Sequence, residues 1–117
     1  FVLCASGTVT MEVAKASTAM LVVYKLNYIT WFIVKAMVKV KTATIINILL
    51  KENAVPELFQ KDVNEYNIHR IIKHYLNDEK LSISQINKLK IAINQLKNSN
   101  DPSYEAAKSV LNYININ

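Results

Sequence analysis

The stretch CASGTVTMEVA, Cys4 to Ala14, gathers residue types that can hold a phosphate and a sugar. It contains the only glycine of the chain, Gly7, with Ser6 before it, Thr8 and Thr10 after it, and a carboxylate, Glu12, five residues on. Where an apolar strand ends in ASGT and turns directly into a helix, free backbone N–H groups and the positive helix end point at whatever lies over the strand's carboxyl edge. That is an anion site. Gly7 lets a ligand come close to the backbone, and the hydroxyls of Ser6, Thr8 and Thr10 can bond to phosphate oxygens. Glu12, about one turn from that point, is placed to accept hydrogen bonds from the two hydroxyls of a ribose, so that backbone N–H groups and an acid divide a nucleotide between them. Each contact contributes only about 1 kcal/mol, so the meaning lies in the arrangement. The plain alternatives are a tight structural turn at Ser6-Gly7-Thr8 and a solvated helix-face carboxylate at Glu12.

The elements that must position these residues follow from periodicity. FVLCA (1 to 5) and AMLVVY (19 to 24) read as strands with the helix TVTMEVAKAS (8 to 17) between them. Strand, helix and strand in so short a span make a βαβ unit, which implies a parallel sheet with a right-handed crossover. A second helical stretch, YITWFIVKAMVK (28 to 39), leads to TATIINI (42 to 48), which reads as a third parallel strand. After Pro56 the pattern is helical. Ile68, Ile71, Ile72, Tyr75 and Leu76 form one stripe, Ile86, Leu89, Ile93 and Leu96 a second, and Tyr104, Ala107, Val110, Leu111 and Ile114 a third. Ser82 with Gln85 fits a capping box, Asp101 before Pro102 fits an N-cap, and NSND (98 to 101) is a turn. The fold expected is α/β: residues 1–60 form the βαβ nucleotide-sugar part of a lobe and residues 61–117 its helical part.

Composition sets the outer limits. At 117 residues, 51% of them hydrophobic and 20% charged, the chain is one globular domain's length rather than a disordered segment. It begins at Phe1 inside what reads as a buried strand, as a C-terminal piece of something larger would. The net charge of +5 favours anionic partners, namely phosphates or anionic lipid. No nucleic acid partner is expected, because the lysines are spread along the chain without a basic run, zinc pattern or aromatic RNA-binding signature. A lone cysteine, Cys4, reads as a small buried apolar residue, and with no signal-peptide pattern at the start it points to a cytoplasmic setting. Lysines interrupt the first half so regularly that no uncharged apolar stretch approaches the roughly 20 residues needed to cross a bilayer. His69 and His74 stand five apart on a helix and diverge, so no metal site is expected from them and no cofactor is indicated.

Several blocks in one order carry a resemblance. ASGTVTMEVAKASTAMLVVYKLNYITWFIVKAMVKVK followed by INILLKENAVPELFQ is similar to the C-terminal half of the bacterial lipid-A-disaccharide synthase family, in which ASGTxTLE, PMVVxYR, TxWLAKRLVK and PNLLAGRExVPELLQ run in the same order; the match covers Ala5 to Gln60 without a gap. The resemblance implies the C-terminal Rossmann-like lobe of a two-lobed glycosyltransferase of the GT-B type. It implies a UDP-diacylglucosamine donor, a lipid monosaccharide phosphate acceptor (2,3-diacylglucosamine 1-phosphate), and work on the inner face of the bacterial inner membrane. Carried over by position, Ser6, Gly7 and Thr8 would contact the donor pyrophosphate, Glu12 its ribose, and Asn47 its sugar or phosphates, with Glu57 and Gln60 as further donor-side residues. The departures are Ala19 and Ile46 for prolines, Lys25 for an arginine, and Leu50, Lys51, Glu52 and Asn53 for A-G-R-E. A general base belongs to the family's N-terminal lobe, so the chain alone is expected to be inactive without that missing lobe.

LNYITWFIVKAMVKVK (26 to 41) supports two readings, a helix packed on the sheet or one lying on an anionic membrane surface. Packing is expected for Phe32 and Val34, and membrane contact for Trp31, Lys35 and Lys39. Against the transferase stands another class: a non-catalytic module from a truncated gene, either a homo-oligomer formed through the surface of the missing lobe or a helical protein-binding adaptor.

Overall fold

The βαβ reading is what the chain builds. A computed structural model describes residues 1–5, 7–37, 42–98 and 111. In chain order it contains β1 (Val2–Cys4), α1 (Gly7–Lys15), β2 (Met20–Tyr24), α2 (Tyr28–Met37), α3 (Ile45–Leu50), β3 (Glu57–Phe59), a 3₁₀ turn (Gln60–Asp62), α4 (Glu65–Asn77) and α5 (Glu79–Asn98). The strands form one parallel sheet in the order β1-β2-β3, the arrangement of a Rossmann-like lobe. Ser6, Lys39, the NSND turn beyond its first residue, the Asp101–Pro102 cap and the third stripe apart from Leu111 lie outside the described residues.

One expected element is different. Residues 42–48, expected as the third strand, lead instead into α3, and the third strand is Glu57–Phe59. The β-branched run TATIINI has strand propensity, but Ile46 and Asn47 are buried and Leu50 half-buried, a spacing of i, i+1 and i+4 that places one helix face inward. Propensity is a weak guide where tertiary packing and a cap favour the helix.

The ladders are staggered. β1 pairs with Met20–Val22 and β3 with Val22–Tyr24, so only Val22 has a strand on both sides. The open ends are closed by glutamines. Gln85, 2% exposed, accepts from Met20 N–H at 2.6 Å through Oε1, while its Nε2 donates to Met20 O at 3.0 Å and Ala54 O at 3.2 Å. Beyond the other end, Gln60 Oε1 accepts from Leu26 N–H at 2.6 Å and its Nε2 donates to Leu26 O at 2.9 Å. Buried backbone polar groups need such partners, and here side chains stand in for absent strand residues.

Cys4, Met20 and Val22 from the sheet share a single core with Ala14 of α1, Ile46 of α3, Val55, and Leu89, Ala92 and Ile93 of α5. The helical half therefore completes the core of the first half. Asn64 caps α4 by accepting from Asn67 N–H at 2.9 Å. The expected capping box at Ser82 and Gln85 does not form. α5 begins a turn earlier, where the Asp78 carboxylate accepts from Lys80 N–H at 3.0 Å; the Ser82 hydroxyl donates to Tyr75 O, and Gln85 turns to the sheet.

Candidate functional site

Because the three strands are parallel, β1, β2 and β3 end at one edge, and Gly7, Leu26 and Gln60 follow directly from it. Ligands of open parallel sheets bind outside this carboxyl edge. Gly7 opens α1 there. It does not have a positive φ, and a Cβ built on it would meet nothing within 4 Å. Neither backbone conformation nor packing asks for glycine, so the space in front of Gly7 is open to a ligand. Thr8 and Glu12 are exposed on the same helix. Thr10 departs from expectation: it is fully buried and its hydroxyl donates to the Gly7 carbonyl, which removes it from the candidate phosphate ligands.

The three other carried-over residues are braces. Asn47, 2% exposed, donates from Nδ2 to Val55 O and accepts Val55 N–H at Oδ1, both at 2.8 Å. The Glu57 carboxylate sits at the start of α3, where Oε1 accepts from Ala43 N–H at 3.1 Å, Thr44 N–H at 2.6 Å and the Thr44 hydroxyl, while Oε2 accepts from the Thr42 hydroxyl. Thr44 is the N-cap of α3 yet makes no side-chain cap bond of its own, so Glu57 supplies the cap. Gln60, at φ 45°, brackets Leu26 just before α2. Glu57 and Gln60 hold the segments that lead into α3 and α2, whereas Asn47 fixes α3 to Val55, before the start of β3.

Two further groups lie in or beside the sheet. Tyr24 stacks on Phe59 with ring centres 5.2 Å apart, and its buried hydroxyl makes no hydrogen bond of regular geometry among the described residues. Burial pushes that phenol above its ordinary pKa, the Thr44 side chain offsets part of this, and the Glu57 charge adds to it. Burial also pushes the Cys4 thiol up, which fits a core residue rather than a nucleophile. His69 and His74 are exposed on α4, and among the described residues no group of three or more His, Cys, Asp or Glu is placed to hold a metal.

The loop that departs from the family pattern has a conformational explanation. Lys51, where the pattern has glycine, follows α3 at φ 54° and ψ 31°, in the left-handed region, with its backbone N–H directed at Asn47 O and Ile48 O. That is a C-cap, the position that glycine fills without a Cβ clash. Lys51→Gly is therefore expected to raise stability by about 1 kcal/mol in a urea titration. An unchanged or lower midpoint would mean that Lys51 makes a compensating contact. Glu52, where the pattern has arginine, pairs with Lys88 of α5 at 2.9 Å.

α2 reverses the expected assignment of its aromatics. Trp31 is half-buried and stacked on Phe59 with ring centres 5.9 Å apart, whereas Phe32 is 76% exposed. Spacing alone did not separate them: Trp31 lies on the side that meets the Tyr24–Phe59 stack. Trp31 is thus a packing residue. Lys35 also belongs to α2. Among the described residues no helix is long and apolar enough to cross a membrane.

Comparison with known proteins returns relatives of one name. A family profile described as lipid-A-disaccharide synthetase matches residues 1–111. The chain is 40% identical over 112 residues to a lipid-A-disaccharide synthase of Colwellia psychrerythraea, covering 96% of this chain and 28% of that protein. It is 43% identical over 79 residues to the Aquifex aeolicus protein of the same name, covering 68% and 22%, and 32% identical over 110 residues to that of Rickettsia felis, covering 92% and 28%. The chain thus spans between a fifth and a third of the length of these relatives. No solved structure matches it.

Proposed function

The chain belongs to the lipid-A-disaccharide synthetase family, a family of bacterial glycosyltransferases of lipid A biosynthesis, and from that premise we propose that it is the donor-binding C-terminal part of such an enzyme. The donor is UDP-diacylglucosamine and the acceptor 2,3-diacylglucosamine 1-phosphate, met on the inner face of the bacterial inner membrane. Ser6, Gly7 and Thr8 bind the pyrophosphate and Glu12 the ribose. Glu57 and Gln60 act on the donor through the segments they hold before α3 and α2, and Asn47 through α3, which it fixes to Val55. Transfer needs the general base of the N-terminal lobe, so these 117 residues alone do not turn over substrate.

The observation that supports this reading is Gly7. The single glycine of the chain stands at a helix N-terminus on the carboxyl edge of the sheet, with open space where its side chain would be and no demand for glycine from φ or packing. A residue kept small for the fold would be destabilising to enlarge, whereas one kept small for a ligand would not. Gly7→Ala is therefore expected to leave the free chain as stable as before, or more stable by about 0.5 kcal/mol, while weakening UDP binding. UDP or UDP-N-acetylglucosamine at about 100 times its dissociation constant should stabilise the wild-type chain by roughly 2.7 kcal/mol. Gly7→Ala and Glu12→Ala should each remove most of that thermal shift. A well-folded wild-type chain that shows no shift would defeat the donor-site reading.

A further inference from the structure

Four large apolar side chains stand out from one helix. In α2, Tyr28 is 84% exposed, Ile29 72%, Phe32 76% and Ile33 52%. Their spacing, i, i+1, i+4 and i+5, gathers them into a single stripe. The helix is not free to roll this stripe inward, because Trp31, on a different side of α2, is stacked on Phe59 and Phe59 on Tyr24. Leu26, just before α2, is also exposed. The chain thus fixes the helix by one aromatic and leaves a contiguous apolar stripe facing outward.

The charge along this part of the sequence says what fits the stripe. Between Glu12 and Glu52 there are six lysines, Lys15, Lys25, Lys35, Lys39, Lys41 and Lys51, and not one acidic residue. Lys25 is exposed three residues before α2. A short helix with an apolar stripe, set in a stretch whose only charges are cationic, has the composition of an interfacial helix on anionic lipid. We infer that α2 lays Tyr28, Ile29, Phe32 and Ile33 into the surface of an anionic bilayer. Since α2 follows the carboxyl end of β2 by three residues, this docking brings the edge that carries Gly7 up to the lipid. The inference rests on the membrane location in the proposed function and gives that location a face; it does not depend on the donor site.

Flotation of the 117-residue chain with phosphatidylcholine vesicles, with and without phosphatidylglycerol, tests it. Partition into the phosphatidylglycerol-containing vesicles should exceed that into neutral ones at least tenfold, and Ile29→Glu/Phe32→Glu should lower it at least tenfold. Both positions are exposed, so the variant should keep its circular dichroism spectrum and its thermal shift with UDP. Tyr66→Ser, an exposed aromatic on α4, should float as the wild type does. Failure of the wild type to float with anionic vesicles, or equal flotation of the double variant, would overturn the inference. So would a wild-type dimer in size exclusion that the double variant dissociates while flotation stays unchanged, because the stripe would then face a second copy. Flotation that depends on Ile29 and Phe32 in a chain that shows no shift with UDP would support the docking face while removing the donor reading.

Discussion

Replacing Gln85 by leucine should destabilise the fold by about 3 kcal/mol, because the change strips three buried backbone groups of their partners at once. Met20 N–H, Met20 O and Ala54 O all meet the Gln85 amide, at 2.6, 3.0 and 3.2 Å. Leucine is close to glutamine in size and adds apolar burial, so cavity formation contributes little and the loss isolates the hydrogen bonds. Against a typical total of about 5–15 kcal/mol, a loss of this size moves a urea midpoint far. Gln85→Glu provides the second arm. Its carboxylate can accept from Met20 N–H but cannot donate to either carbonyl, and it is a charge in a position 2% exposed. Stability of this variant should be lower than that of the wild type at neutral pH and should recover as acid protonates the side chain and restores a donor. A loss below about 1 kcal/mol in the leucine variant would mean that water or a shift of α5 satisfies the strand edge instead.

The βαβ start was legible because its signals are local. β1, α1 and β2 lie within a residue or two of where apolar runs and the single glycine place them. The third strand was not, because β3 is three residues long and held by its pairing with Val22–Tyr24, a contact that no local pattern contains. TATIINI carried the stronger strand signal, yet its polar member Asn47 is buried as a brace to Val55. Gln85 illustrates the same limit. Four residues before Leu89 and eight before Ile93, it lies on the buried stripe of α5, and a glutamine in such a line signals a distant polar partner. Read with Ser82 as a local cap, it hid a bond across 65 residues of sequence. At the proposed site, the residues that face open space, Thr8 and Glu12, are exposed on α1, which Gly7 opens. Those that act by bracing, Asn47, Glu57 and Gln60, matched a motif whose letters alone do not distinguish contact with a ligand from contact with the backbone.

Glu57 is where that distinction can be measured. Glu57→Ala removes four hydrogen bonds at the start of α3 and should cost about 3 kcal/mol, since bonds to a charged acceptor and the favourable charge at a helix N-terminus are lost together. Glu57→Gln should cost only about 1 kcal/mol. Its carbonyl oxygen can still accept at the place of Oε1, which takes three of the four bonds, and its amide can donate to the Thr42 hydroxyl where Oε2 had accepted from it. Donor binding should follow the same order, weak in the alanine variant and nearly intact in the glutamine variant, because the loop is held in one and released in the other. A carboxylate that itself touches the donor predicts the reverse separation: Glu57→Gln would fold normally and bind UDP-sugar poorly. The first pattern would mean that the chain caps α3 with its own anion and leaves the N-terminus of α1, at Gly7, as the end that is open to a phosphate.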